Sequence, residues 1–497
     1  MVKEFFACVI TDYFFFELTT MRKRSIIQIR NKGRAIIMKT MKKRLLSAVL
    51  CAAMAATCLC AGALPARASA APLKFAVMAD PHYGYNAADD LIVDGAFEQL
   101  RGADFAGHDI LLIAGDLTDR GAKTEHDRFL AKLREAEAAG MRVYVVTADH
   151  DFEGGSSGYT GPCYKRSELS ALYADFGFGE ALSRFEDLSY TAQLAPGYRL
   201  LVLNLDGSRG FAPGQLAWAL AQVREAVGLG EQIIGMWHYP VLDSLPVFAF
   251  EEAGMASAAE EMAQLADAGL RFGFSGHIHA QLIDYIETAK KNRFYEIITA
   301  SMMKSPSSPL RKVTLSGTQM EVKTLYTTTV PAQELSGRFD AMARGLLEAM
   351  AEDVGLLSQR IYAAVGYKAD LAKYEKLVLF AGRLLNKLDF KTLGWIFLCP
   401  WKVDKSVRDL KLKDFLIQAV NNLFTGNRRY TRETPEGRLF FAVLCRLDVI
   451  FVPVAWLMKR LGGLNLFGVS LPIDSLTGFF EPALYSDVPG NDIVIAQ

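Results

Sequence analysis

Between Leu73 and Ser275 the chain alternates short apolar runs with longer stretches of helical spacing, and most of the apolar runs lead into aspartate, histidine or glycine. Lys74–Ala79, Ile110–Ala114, Arg142–Thr147, Arg199–Asn204, Gln232–Trp237 and Arg271–Ser275 read as buried strands. Asp89–Ala103, Thr124–Ala139, Gly214–Val227 and Gly254–Ala268 carry the helical spacing between them. Such alternation leaves one economical solution, an α/β domain with a largely parallel sheet. A second cluster, Glu296–Ala300, Arg311–Leu315 and Met320–Leu325, reads as antiparallel strands. Polar residues just past strand ends matter because open α/β sheets bind ligands there.

Near Val330-Pro331 the texture changes to long helical stretches, Phe339–Ala363, Ala372–Leu388, Val407–Phe424 and Arg438–Arg460. The expected organisation is an upstream extension and signal segment over 1–70, a catalytic domain over 71–330 and an all-α domain over 331–497. Leu439–Met458 is apolar enough to resemble a membrane span, but Arg446 and Asp448 each cost roughly 2.5–3.5 kcal/mol at a bilayer centre. A packed helical domain is the expectation, and an amphipathic surface that touches a membrane or a lipid-like substrate is the alternative.

Lys and Arg together number 55 and so do Asp and Glu, so the formal charge is zero. That balance argues against a broad electrostatic surface for nucleic acid or anionic lipid, and leaves room only for a local patch. Met41-Lys42-Lys43-Arg44, the uncharged run Leu45–Leu64 and the Ala68-Ser69-Ala70 ending have the form of a secretory signal, with an uncleaved anchor as the alternative. Either places the rest of the chain outside the cytoplasmic membrane. Past Ala70 three cysteines remain, Cys163, Cys399 and Cys445, which allow at most one disulfide; Cys399 with Cys445 is the pair within one region.

Histidine is scarce, seven in 497 residues, and five stand at strand ends: His82, His150, His238, His277 and His279. His108 and His126 fall in polar stretches and read as surface residues. The five occur in Asp80-Pro81-His82, Ala148-Asp149-His150-Asp151, His238-Tyr239-Pro240 and Gly276-His277-Ile278-His279, with Gly115-Asp116-Leu117-Thr118-Asp119-Arg120-Gly121 between the first two. Carboxylate and imidazole together suit Mn, Fe or Zn. Two such ions about 3.5–4 Å apart need roughly seven ligands with one carboxylate shared, which these segments can supply.

In this order the segments resemble the D-x-H, G-D, G-N-H, H and G-H-x-H pattern of the calcineurin-like metallophosphoesterases, over Asp80 to His279. The resemblance implies a central β-sandwich flanked by helices and two divalent metal ions. It implies Asp80, His82 and His279 on one ion, Asp149, His238 and His277 on the other, and Asp116 shared. It further implies a hydroxide between the ions as nucleophile, His150 beside the phosphate, Asp119 orienting that histidine and Arg120 holding phosphate oxygens. The implied reaction is hydrolysis of a small phosphomonoester or phosphodiester, a cyclic-nucleotide or lipid diester among the options. One departure stands out: Ala148-Asp149 replaces Gly-Asn, which adds negative charge where phosphate must approach. A binding protein on a weakened hydrolase scaffold is the alternative from another class. The glycine-rich loop Gly154–Gly161 lacks the Lys-Ser/Thr of a P-loop and reads as a rim loop, with Tyr159 and Tyr164 placed to meet substrate.

Overall fold

Strand β1 (Leu73–Met78) is apolar along nearly its whole length and pairs in parallel with β2 (Ile110–Ala114), Ala76 lying beside Leu111. In turn β2 pairs in parallel with β3 (Arg142–Val146). These three form the parallel half of a six-stranded sheet. Its antiparallel half is β11 (Pro309–Ser316) against β1, then β12 (Gln319–Tyr326). The computed structural model describes residues 71–496 except 156–158, 206–209, 243–244, 246–257, 304, 318, 366–370, 373–374, 461–464, 467–468 and 471–474; the expected signal segment lies outside the described residues.

A second sheet has seven strands. From one edge it runs β4 (Ser183–Phe185), β5 (Ser189–Ala195), β6 (Tyr198–Val202), β7 (Gln232–Met236), β8 (Phe272–Ser275), β10 (Arg293–Ile298) and β9 (Leu282–Glu287). Its centre, β6-β7-β8-β10, is parallel and its edges are antiparallel. The sheets are therefore mixed, and β10, expected among antiparallel strands, is parallel to β8.

One apolar core joins the two sheets. Phe75 of β1 meets Phe274 of β8 edge-to-face with ring centroids 5.4 Å apart, and the Tyr190 hydroxyl of β5 donates to the Val145 carbonyl of β3 at 2.9 Å. Helices α1 (Ala87–Leu100), α2 (Lys123–Ala138), α3 (Gln215–Gly228) and α4 (Ala259–Ala268) connect the strands. Asn86 caps α1 by accepting from the Ala88 and Asp89 amides, each at 3.0 Å.

The C-terminal region is helical: α5 (Ala332–Glu352), α6 (Val354–Val365), α7 (Glu375–Lys387), α8 (Phe390–Ile396), α9 (Leu412–Phe424), α10 (Pro435–Arg460) and α11 (Leu476–Leu484). The stretch read as one helix over Phe339–Ala363 is two. Asp353 takes an extended conformation, φ −153° and ψ 116°, and its carboxylate accepts the Leu356 amide at 2.9 Å, capping the next helix. A two-residue hairpin, β13 (Asn465–Leu466) and β14 (Val469–Ser470), precedes α11. The chain then returns to the first sheet, where β15 (Ile493–Ala496) adds antiparallel to β12. Among the described residues no helix is long and apolar enough to cross a membrane. Cys399 is buried, Cys445 is exposed and both are free, so the considered bridge is not formed; Cys163 is also free.

Candidate metal centre

Each candidate ligand stands just beyond a strand, where the chain must leave the sheet sharply. Asp80 and His82 follow β1, Asp116 follows β2, Asp149 and His150 follow β3, His238 follows β7, and His277 and His279 follow β8. Five of them have positive φ: Asp80 49°, His82 42°, Asp116 48°, His277 68° and His279 52°. This left-handed region costs most residues energy, and Asp and His are among the side chains that tolerate it best. Two glycines leave the room. A Cβ on Gly276 would lie 2.2 Å from Asp80 Oδ2, and one on Gly115, at φ 88°, would lie 2.3 Å from His238 Nδ1.

The ends of the two sheets bring these residues into two overlapping clusters. Asp80, His82, Asp116 and His279 offer ligand atoms within 4.8 Å of one another, and so do Asp116, Asp149, His238 and His277. Asp116 belongs to both. His82 Nε2 faces His279 Nε2 at 3.1 Å, and His277 Nδ1 faces His238 Nε2 at 3.2 Å. His238 Nδ1 donates to the Ala114 carbonyl at 2.9 Å, which directs Nε2 toward Asp116 Oδ2 at 3.3 Å. The His277 amide donates to Asp80 Oδ1 at 2.8 Å.

The charge distribution asks for cations. Burial carries the Asp80 carboxyl up to about 7, against the pull of His238. Burial also raises Asp116, but His238, His150 and His82 outweigh it and hold that carboxyl well below its usual range. At His238 burial lowers proton affinity, while Asp116, Asp80 and Asp149 overcome it and carry the imidazole to about 10. Asp80 Oδ2 and Asp149 Oδ1 are buried and accept no hydrogen bond. A carboxylate set with buried oxygens of this kind, interleaved with imidazole nitrogens, fits two divalent ions.

The remaining predicted residues sit beside these clusters. His150 Nδ1 donates to the Asp119 carbonyl at 2.5 Å, and the Asp119 carboxylate, His82 and His150 offer atoms within 4.8 Å of one another. The Asp119 carboxylate lies 3.4 Å from His82 Nδ1. Arg120 Nε donates to Glu125 Oε1 at 2.6 Å, a second guanidinium nitrogen reaches the Gly84 carbonyl at 3.2 Å, and the group lies over the Tyr159 ring. Tyr164 lies under Lys123 Nζ, 4.8 Å from its ring centroid. Ala148 has φ −137°, so alanine in place of glycine is unstrained there.

Three supporting residues were missed by sequence reasoning. Asp151, wholly buried, accepts the Thr118 amide at 2.9 Å, the Thr118 hydroxyl at 3.1 Å and the Ala148 amide at 2.9 Å, tying the loop after β2 to the loop after β3. Glu296 on β10 accepts Trp237 Nε1, the Ser275 hydroxyl and the Val241 and Leu242 amides, holding the segment that carries His238. The Ser301 hydroxyl donates to the Asp80 carbonyl at 2.9 Å. A lone acid inside the apolar run Glu296-Ile297-Ile298 was the available signal for Glu296. His126, expected at the surface, is wholly buried: Nε2 donates to the Asp151 carbonyl at 2.9 Å and Nδ1 accepts the Tyr173 hydroxyl at 2.7 Å. His108 is buried as well, against the ring of Phe105.

Residues 73–281 match the family model of the calcineurin-like phosphoesterases. The chain matches no curated protein. Among solved structures it is similar to a dimetal phosphatase from Danio rerio at 16% identity and TM-score 0.38, covering 52% of this chain and 100% of that one. It is similar to a purple acid phosphatase from yellow lupin seeds at 13% identity and TM-score 0.37, covering 52% of each. A putative 5'-nucleotidase from Staphylococcus aureus is similar at 11% identity and TM-score 0.34, covering 55% of this chain and 59% of that one. The strand-end geometry agrees with the family match. Residues 73–281 are thus a domain of the calcineurin-like phosphoesterase family, which makes the chain a metallophosphoesterase, an enzyme of the hydrolase class.

Proposed function

We propose that the domain hydrolyses a small phosphomonoester or phosphodiester with two divalent cations, one held by Asp80, His82 and His279, the other by Asp149, His238 and His277, and Asp116 shared. The observation that carries this reading is the convergence of the other six side chains on Asp116, with Asp80 Oδ2 and Asp149 Oδ1 buried and accepting no hydrogen bond. Mn, Fe or Zn bound there supplies a water of lowered pKa and polarises the phosphoryl oxygen. His150, its Nδ1 committed to the Asp119 carbonyl, can give a proton from Nε2 to the departing oxygen. Arg120, one residue further on, is the candidate for phosphate oxygens; Glu125 and Gly84 hold its guanidinium. The signal-like segment over residues 41–70 makes the site of action extracytoplasmic, with the chain secreted or anchored.

A second reading is favoured by Asp149. Its carboxylate brings negative charge to the centre, where phosphate must approach, so the domain could bind metal or ligand and turn over weakly. The test is hydrolysis of p-nitrophenyl phosphate and bis-p-nitrophenyl phosphate by the full chain, metal-stripped and then given Mn, Fe or Zn. Metal-dependent turnover that falls at least about a hundredfold in Asp116→Asn is expected. The preferred ester then separates monoesterase from diesterase. Absence of turnover with every metal, regained in Asp149→Asn, would establish the binding reading instead.

A further inference from the structure

We propose that α8, the turn after it and α10 form a face that docks on an anionic lipid surface. The chain has five tryptophans. Trp237 is buried and Trp218 half-buried in the catalytic domain, but Trp395 and Trp401 are 63% and 71% exposed on this face, and Trp456 of α10 is 55% exposed. Ile450, also on α10, is 70% exposed. Arg446, one turn before Ile450, joins the elements: it donates to the Leu398 carbonyl at 3.3 Å and lies over the Trp401 ring.

Leu398 supplies an independent observation. It ends α8 in a Schellman turn, with the Leu398 amide bonded to the Trp395 carbonyl at 3.2 Å and the Cys399 amide to the Gly394 carbonyl at 2.7 Å. That position takes a left-handed residue, usually glycine. Here it is a leucine at φ 50° whose side chain is 73% exposed. The turn caps α8, which glycine would do without strain, so an exposed leucine kept at that position points to a binding role.

Charge identifies the occupant. Residues 390–408 and 435–460, which make up the face, carry eight Lys and Arg against three Asp and Glu, in a chain whose total is zero. Lys391, Lys402 and Lys405 are exposed next to the apolar tips. A second copy would bring the same basic surface opposite itself, because a two-fold interface pairs each patch with its own image. The chain's own apolar run Leu45–Leu64 is led by Lys42-Lys43-Arg44 and would add positive charge to positive charge. Anionic headgroups with acyl chains below them complement both features, and tryptophan belongs at that boundary.

The test uses the full chain with vesicles of equal phosphatidylglycerol and phosphatidylcholine whose acyl chains carry bromine, a contact quencher of indole. Residues 1–70 contain no tryptophan, so quenching reports on this face even if the N-terminal run also inserts. Quenching is expected in the anionic vesicles and at least about tenfold weaker binding in phosphatidylcholine alone. Leu398→Gly should raise Tm, by relieving the left-handed strain, and yet cut the tryptophan quenching several-fold. Unquenched tryptophans in anionic vesicles, or quenching unchanged in Leu398→Gly, would overturn the proposal. An unquenched protein that sediments as a dimer assigns the face to a second copy. An unquenched monomer whose tryptophans are shielded from iodide assigns it to the chain's own apolar run.

Discussion

Replacing Glu296 with glutamine should make stability less dependent on pH. The side chain is wholly buried on β10, and burial carries its carboxyl from 4.5 to about 7, although Trp237, Val241, Leu242 and Ser275 all donate to it and pull the other way. A carboxyl that is a stronger base folded than unfolded takes up its proton on folding. Its stabilising contribution is complete below pH 4.5 and is lost as the pH climbs to about 7, a total of about 3 kcal/mol. Glutamine keeps the shape and does not titrate. It presents one acceptor oxygen, so an amide of the Val241-Leu242 pair loses its partner at a cost of about 1–3 kcal/mol, independent of pH. The pH-independent cost sets the absolute Tm of Glu296→Gln, but the change with pH in the difference between the two proteins has a fixed direction. From pH 5 to pH 8 it should move in favour of glutamine by about 2–3 kcal/mol, or about 5 °C for a domain of this size. Scanning calorimetry of both proteins in metal-free buffer reads it. Parallel Tm profiles over that range would refute the assignment of Glu296 as a buried carboxyl of raised proton affinity.

Two further substitutions probe the frame of the centre. Gly276→Ala puts a methyl 2.2 Å from Asp80 Oδ2, so metal affinity measured by competition with a chelating dye should fall at least about tenfold, with Tm changed far less. His126→Leu leaves the buried Asp151 carbonyl and Tyr173 hydroxyl without their partner, and should destabilise by about 2–4 kcal/mol, seen as a Tm lower by roughly 5 °C.

His126 also shows where sequence reasoning stops. Its neighbours Glu125 and Asp127 give the stretch a polar look, and polarity was taken for exposure. Glu125 is itself buried, engaged by Arg120, and burial holds His126 at about 4, so it enters the core neutral with both nitrogens bonded. Polar groups that satisfy one another across sequence leave no periodic signal. The same limit hid Asp151 and Glu296, whose partners come from other loops. It hid β15 as well, since four residues gain strand structure from β12 and not from their own pattern. Strands with hydrophobic neighbours on both faces were legible, as Ile110–Ala114 shows, because burial on two sides leaves an unbroken apolar run.

The candidate ligands were legible for a further reason: two physical demands select the same residue types at the same places. A chain that leaves a buried strand and must at once point a side chain back across the sheet end has to turn sharply, and the turn here uses left-handed backbone at Asp80, His82, Asp116, His277 and His279. Glycine would adopt that backbone more easily, but it offers no ligand atom. Valine or isoleucine would end the strand in an apolar run and could not take the conformation without strain. Aspartate and histidine are the side chains that both tolerate the turn and bind a divalent cation. A motif that looks like a string of ligands is therefore also a string of strand exits, which is why its order along the chain reports the fold together with the chemistry. Leu398 is the contrasting case: its left-handed backbone caps α8, a task glycine performs without strain, and its exposed side chain offers no ligand atom, which is why the docking face is placed around it.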